Sequence, residues 1–159
     1  MPPIGGTKKC RKTLCIGFAD IMSLLSANIM NLLTQAFYDK IILMKKDKLS
    51  DLSLELVKHC VFISDKLKNE REYNFADQIK RSSTSVCANI AEAGHPQSKK
   101  DMISKFEIAL KEAFETGKWL EMLVSTNKIQ QDDYNQASKI CTKIRVLLIA
   151  SIKTLKSNL

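Results

Sequence analysis

This chain predicts an all-α fold: an up-down-up-down antiparallel four-helix bundle with an additional N-terminal helical or disordered segment. Three observations carry the prediction. From residue 50 onward Leu, Ile, Ala, Lys and Glu dominate while Gly and Pro are scarce. Four stretches there each place apolar residues at helical spacing on one face. The links between them are short and polar, so consecutive helices lie antiparallel. The domain reading is an N-terminal extension over residues 1–43 and the bundle over 44–159, which is long enough to bury a core.

The extension begins MPPIGGTKKCRKT, where Pro, Gly and a basic cluster predict disorder. Leu14 to Met44 is mostly apolar, and three readings stay open: a helical arm, an upstream misread of the start site, and a secretory signal or anchor with Ala36 as a weak cleavage position. Asp20, Ser23, Ser26, Asn28, Asn31, Thr34 and Gln35 make it a poor transmembrane span. Ser50 and Asp51 offer an N-cap to the first bundle helix, whose face is Leu52, Leu56, Cys60, Ile63 and Leu67 and which ends near Asn69. After the link 69–72 the second helix starts near Tyr73 or Asn74. At about 100° per residue, Phe75, Ala76, Ile79, Ser82, Ser83, Val86, Cys87, Ile90 and Ala93 share its inner face. So many small residues on one face let neighbouring helices approach closely, which makes this the central helix.

Gly94-His95-Pro96 stops the second helix, with Gly94 expected in the left-handed conformation and Pro96 unable to continue. Ser98 and Asp101 read as a capping box opening the third helix. Its principal face is Met102, Ile103, Phe106, Ala109, Leu110, Ala113, Phe114, Gly117, Leu120 and Val124. After the polar link 127–131, Asp132 and Asp133 suit the positive N-terminus of a fourth helix. That helix turns Tyr134, Ala137, Ile140, Cys141, Ile144, Leu147, Leu148 and Leu155 inward, with Lys139, Lys143, Arg145, Lys153 and Lys156 on its other sides.

The second helix also carries a resemblance. Gln78-Ile79-Lys80-Arg81-Ser82-Ser83, Ser85-Val86 and Ala88-Asn89-Ile90-Ala91-Glu92 resemble the signature of the bacterial four-helix-bundle family first noticed as proteins encoded in intervening sequences of 23S ribosomal RNA genes. The likeness continues through Ser98-Lys99-Lys100-Asp101, Lys105, Ala109-Leu110-Lys111-Glu112-Ala113, Glu115-Thr116 and Trp119-Leu120, and covers nearly all of residues 47–157. Many relatives have Gly where Ala93 stands, and residues 1–43 have no counterpart. The signature positions singled out are Gln78, Arg81, Ser85, Asn89, Ile90, Ala91 and Glu92. The resemblance implies a cytoplasmic bundle and a homo-oligomer, pentameric in known accessory proteins of diversity-generating retroelements. For that branch alone it implies a reverse transcriptase as partner.

The formal net charge is +8, of which +3 falls in residues 1–43 and +5 in the remainder. Such an excess suits RNA, DNA or an acidic protein, and equally serves solubility. Lys80, Arg81, Lys139, Lys143, Arg145, Lys153 and Lys156 are the candidate phosphate contacts. No aromatic residues interleave with them to stack bases, so binding would be electrostatic and weakly sequence-specific. Ile108, Trp119, Met122 and Leu123 on the third helix, with Phe62 on the first, point off the expected core and form a candidate oligomer interface. Asn89 beside Ser85 reads either as a bridge between helices or subunits or as a cap for the loop at Gly94, and Glu92 as the partner of a nearby Lys or Arg.

Chemistry is poorly represented. No nucleophile, base and orienting group occur together, so no enzyme and no small-molecule substrate are expected. His59 and His95 lie in different elements without metal-ligand spacing, and no cofactor or metal is expected; a metal-binding or catalytic bundle is the alternative, and the apolar inward positions disfavour it. Gly5-Gly6-Thr7-Lys8-Lys9 lacks phosphate-loop spacing. The five cysteines are odd in number and form no C-x-x-C pair; Cys60, Cys87 and Cys141 read as small core residues.

Overall fold

The computed structural model describes residues 18–157, with side chains described from Lys48 onward and at Ile29, Met30, Leu32 and Leu33. The segment read as disordered, Gly5 to Lys9, Cys10 and Cys15 lie outside the described residues. The elements are α1 (Phe18–Asn69), α2 (Tyr73–Glu92), α3 (Lys99–Ser125) and α4 (Gln131–Lys156), with no strand among the described residues. Contacts divide the chain into residues 1–39 and 40–159. In the first unit the chain is helical from Phe18, and Ile29, Leu32 and Leu33 are exposed.

The second unit is the bundle. Leu49, Leu52, Leu56, Cys60, Ile63 and Leu67 of α1 recur every three or four residues and are all buried. They meet Ala76, Ile79, Val86 and Ile90 of α2, Ile103, Phe106, Ala109, Ala113, Leu120 and Leu123 of α3, and Ala137, Ile140, Cys141, Ile144, Leu148, Ile152 and Leu155 of α4 in one core. The α1–α2 and α3–α4 turns are tied together by the Lys128–Glu72 ion pair, which places them at the same end and fixes the up-down-up-down order. α2 packs on α3 and α3 on α4, so α2 and α4 occupy opposite corners.

The buried face of α2 is the small-residue face expected from its sequence. Ser82 and Ser83 are buried there, their hydroxyls donating to the carbonyls of Ile79 (3.4 Å) and Lys80 (3.0 Å) in their own helix. Such back-bonding lets a polar residue sit in a core without a partner from another helix. Thr116 on α3 does the same toward Glu112 at 2.9 Å. Gly117 helps α4 to come close: a Cβ there would stand 3.4 Å from Arg145 Nη1 and 3.8 Å from Cys141 Sγ. One turn away the Cys141 thiol donates to the Ala113 carbonyl at 3.0 Å.

Four expectations need correction. Ser50 and Asp51 are inside α1 rather than at its start, because the polar Lys45-Lys46-Asp47-Lys48 contains no helix breaker and the upstream turn satisfies the amides that an N-cap would have served. Gly94 is not left-handed: Ala93 ends α2 at φ −59°, ψ −15°, and Gly94 and His95 donate to Ala91 and Glu92 at 2.9 Å in tight turns. The left-handed residues are instead Arg71 (φ 63°) and Asn127 (φ 54°), each closing a helix C-terminus. Phe114, placed in the core of α3 by periodicity, is 51% exposed, with Arg145 stacked 5.0 Å above its ring. Leu123, placed on the outer stripe, is fully buried. The α3 face is rotated toward Thr116 and Leu123, because a buried Thr that bonds its own helix is invisible to an apolar count.

The Ser98 cap forms as expected, its hydroxyl accepting the Asp101 amide at 3.1 Å. The Asp101 carboxylate reaches back one residue further than a capping box requires, to the Gln97 amide at 3.0 Å.

Candidate functional site

Between residues 44 and 133 fifteen basic residues are balanced by fifteen acidic ones, while the chain from Tyr134 onward carries five basic residues and no acidic one. The bundle's +5 is therefore matched by the part of α4 that follows its acidic first turn, while α4 as a whole, with Asp132 and Asp133, carries +3. The inward positions of α4 are apolar, so its charges are confined to the remaining surface.

Of those five, Lys139, Lys143 and Lys153 are exposed and make no ion pair among the described residues. Lys156 is paired with Glu107 of α3 at 2.7 Å, and half-buried Arg145 lies over Phe114 and donates to Thr142 Oγ1 at 2.9 Å. These two work within the bundle surface, and the free charge narrows to three lysines. Lys80 and Arg81 are exposed on α2, at the opposite corner, so the structure does not gather them into the same face. Sequence reading missed that exposed aliphatic side chains share the α4 face: Val146 is 60% and Ile149 49% exposed. The signal was available, since Val146 is a multiple of seven from Lys139 and Lys153.

The proposed interface stripe on α3 is also redrawn. Ile108 and Met122 are exposed, as is Phe62 on α1, where Lys66 Nζ sits 4.3 Å from the ring centroid. Trp119 is half-buried: its ring stands edge-on to Phe75 at 6.1 Å, and its indole N–H donates to the Glu115 carboxylate at 3.2 Å. Leu123 belongs to the core and leaves the stripe.

Asn89 neither bridges helices nor caps the Gly94 loop. Its amide donates to the Ser85 carbonyl at 2.9 Å and the Ser85 hydroxyl at 3.4 Å, one turn back in α2. Glu92 pairs with Lys105, joining α2 to α3, and this hydrogen bond holds the lysine above its ordinary range. Gln78 is half-buried, Ala91 exposed and Ile90 in the core. Glu92, Lys105, His95, Gln97 and Asp101 line an open polar hollow of about 500 Å³ at the α2–α3 link. His59 does not line it and is half-buried on α1, in a separate depression with Phe62. Among the described residues no group of three or more His, Cys, Asp or Glu stands where it could hold a metal ion. Burial pushes the Cys60 thiol up to about 12 and raises that of Cys141, so both are inert at neutral pH. No helix, among the described residues, is long and apolar enough to cross a membrane.

These features define a four-helix bundle with an apolar core and a fourth helix that is basic beyond its first turn. Its family follows from comparison with known proteins: the model of the 23S rRNA-intervening sequence protein family matches residues 45–150, and the chain belongs to that family. A solved protein of unknown function from the S23 ribosomal protein family of Bacteroides thetaiotaomicron is 43% identical, covering 69% of this chain and 98% of its own, with a TM-score of 0.66. No curated protein matches the chain.

Proposed function

We propose that this protein is a non-enzymatic, homo-oligomeric binding bundle that holds nucleic acid through the phosphate backbone, on the outer face of α4. The observation that carries the proposal is the run of α4 from Tyr134 onward, which has five basic residues and no acidic one, with Lys139, Lys143 and Lys153 exposed and in no ion pair among the described residues. At 1.5 Å per residue these lysines span about 21 Å, enough to follow several successive phosphates. A single chain neutralises only about three phosphates, which makes for weak binding; repetition of the face in an oligomer multiplies it. Exposed Ile108, Met122 and Phe62 supply apolar surface for self-association.

The test is binding of duplex and single-stranded RNA and DNA across a salt series. With Z near three per chain, log K should fall with log[salt] at a slope of about −3 per bound chain. Lys139→Glu with Lys143→Glu should weaken every sequence alike and reduce the slope by about two. Salt-independent binding, or none at low ionic strength, removes nucleic acid from the reading and leaves a protein partner, for which Val146 and Ile149 in the same face are the supporting observation. For the retroelement branch that partner would be a reverse transcriptase and the oligomer a pentamer. A reverse-transcriptase gene with template and variable repeats beside this gene is what would favour that branch.

A further inference from the structure

Between Lys139 and Lys156 the sequence has no aromatic residue, but the fold brings one to that stretch from α3. Phe114 is half exposed, and the Arg145 guanidinium lies over its ring, 5.0 Å from the centroid. An exposed Phe by itself is ordinary; this one has a cation fixed over its face. The guanidinium is held from three sides. Its Nη2 donates to Thr142 Oγ1 at 2.9 Å, the Phe114 ring lies beneath it, and Gly117 of α3 leaves the space it fits into, since a Cβ there would stand 3.4 Å from Nη1 and 3.8 Å from Cζ.

No carboxylate pairs with Arg145 among the described residues. Glu121 is bonded instead to Lys118 at 2.6 Å, and that bond, more than the charge of Arg145, holds its carboxyl below the ordinary range. A planar cation pinned on a ring and not committed to an acid offers a flat surface on which another π-system can stack. Its place along α4 matters as well. Arg145 is six residues past Lys139 and eight before Lys153, about 9 Å and 12 Å along the axis, so the stack falls within the run of exposed lysines. Lys111, three residues before Phe114 on α3, is also exposed and in no ion pair among the described residues.

We infer that the Phe114–Arg145 stack is a base-stacking platform, and that it selects single-stranded RNA or DNA over duplex. The inference rests on the phosphate reading of α4 and adds to it the form of the nucleic acid. Phosphate contacts alone do not separate the two forms. In a duplex the base faces are covered by their neighbours, whereas a single strand can turn a base out onto an aromatic or guanidinium plane. The lysines face solvent while Arg145 turns toward α3, so a strand whose phosphates follow the lysines has its bases on the α3 side, over the stack. Every base has a π-face, so the platform accepts any sequence. An acidic protein segment would use the lysines equally well but has no need of a flat group at Phe114.

The test measures binding of oligothymidylate, oligouridylate, a DNA duplex and an abasic deoxyribose-phosphate strand, all of one length, to the full chain across a salt series. Phe114→Leu keeps an apolar side chain without the aromatic plane. It should lower affinity for both single strands about tenfold and leave duplex affinity and the salt slopes unchanged. Phe114→Tyr, which restores the plane, should bind single strands as the unaltered protein does. The abasic strand should bind the unaltered protein about as weakly as oligothymidylate binds Phe114→Leu, a readout that does not depend on how the variant folds. Single-strand affinity that Phe114→Leu leaves unchanged, or an abasic strand that binds as well as oligothymidylate, overturns the platform while the phosphate reading stands. Equal losses on single strand and duplex also overturn it, because Phe114 then supports the bundle surface and not a base. Absence of salt-dependent binding to all four probes removes the phosphate reading and the platform with it.

Discussion

Arg71 is held at φ 63° immediately after α1, a conformation that costs an L-residue roughly 1–2 kcal/mol and glycine almost nothing. The position is set by two backbone bonds, Glu72 N to Leu67 O at 2.9 Å and Arg71 N to Lys68 O at 3.0 Å, the six-to-one and five-to-two pair that closes a helix C-terminus. Arg71→Gly keeps both bonds and removes the steric penalty, but gives the unfolded chain more freedom, so the net gain should be about 0.5–1 kcal/mol. Asn127 supplies an internal control. It occupies the same place after α3 at φ 54°, with Lys128 N to Leu123 O at 2.8 Å and Asn127 N to Val124 O at 3.1 Å. Asn tolerates this region better than Arg, so Asn127→Gly should gain only a few tenths of a kcal/mol. Urea denaturation followed by circular dichroism should show a higher midpoint for Arg71→Gly at unchanged m-value. Equal shifts for the two glycine variants, or a lower midpoint for Arg71→Gly, would refute the strain argument and mean that the Arg71 side chain contributes more than its backbone costs.

The core yields two more predictions. Ser64 is fully buried on α1 and its hydroxyl has no hydrogen-bond partner, so Ser64→Ala should stabilise by about 1 kcal/mol in the same assay, whereas Ser83→Ala, which removes a satisfied hydroxyl, should not; destabilisation by Ser64→Ala would reveal a partner such as an internal water. Between the ordinary thiol value near 9 and about 12 the unfolded chain releases a proton that folded Cys60 keeps, so stability should fall as pH rises through that window by up to about 1.4 kcal/mol per unit, with no contribution below it. Cys60→Ala should lower stability at neutral pH yet flatten that alkaline slope, and an unchanged slope would mean that Cys60 is not its source.

The inward faces of α1, α2 and α4 were legible because their core positions are marked by strong apolar residues at helical spacing and their links by short polar runs. α3 was misphased because its boundary is drawn by residues whose chemistry and placement disagree. Phe114 is large and apolar yet lies outside under the Arg145 guanidinium, and Thr116 is polar yet lies inside with its hydroxyl satisfied one turn back. The start of α1 was misplaced for a different reason, since a capping residue in the interior of a helix looks the same in sequence as one at its end. The site was legible as a set of basic residues and not as a face. Which of them stay unpaired depends on Glu107 reaching Lys156 and on Phe114 lying beneath Arg145, contacts made between helices.

The signature on α2 has a structural explanation that bears on what the family resemblance can carry. Ile90 is core, Asn89 bonds Ser85 within the helix, and Glu92 ties α2 to Lys105 of α3, so these positions specify how the central helix is built and where it meets its neighbour. None of them lies on α4 or in the arm. A chain can therefore satisfy the signature and share the bundle while the charge of its fourth helix and the length of its first are free to differ, because neither alters the α2–α3 contact. The family match spans residues 45–150, and the 43% identical relative covers 69% of this chain. Exchanging the outer α4 residues between the two proteins should then transfer any difference in the proposed phosphate binding without changing the fold, whereas exchanging the α2 residues should change stability and leave that binding where it was.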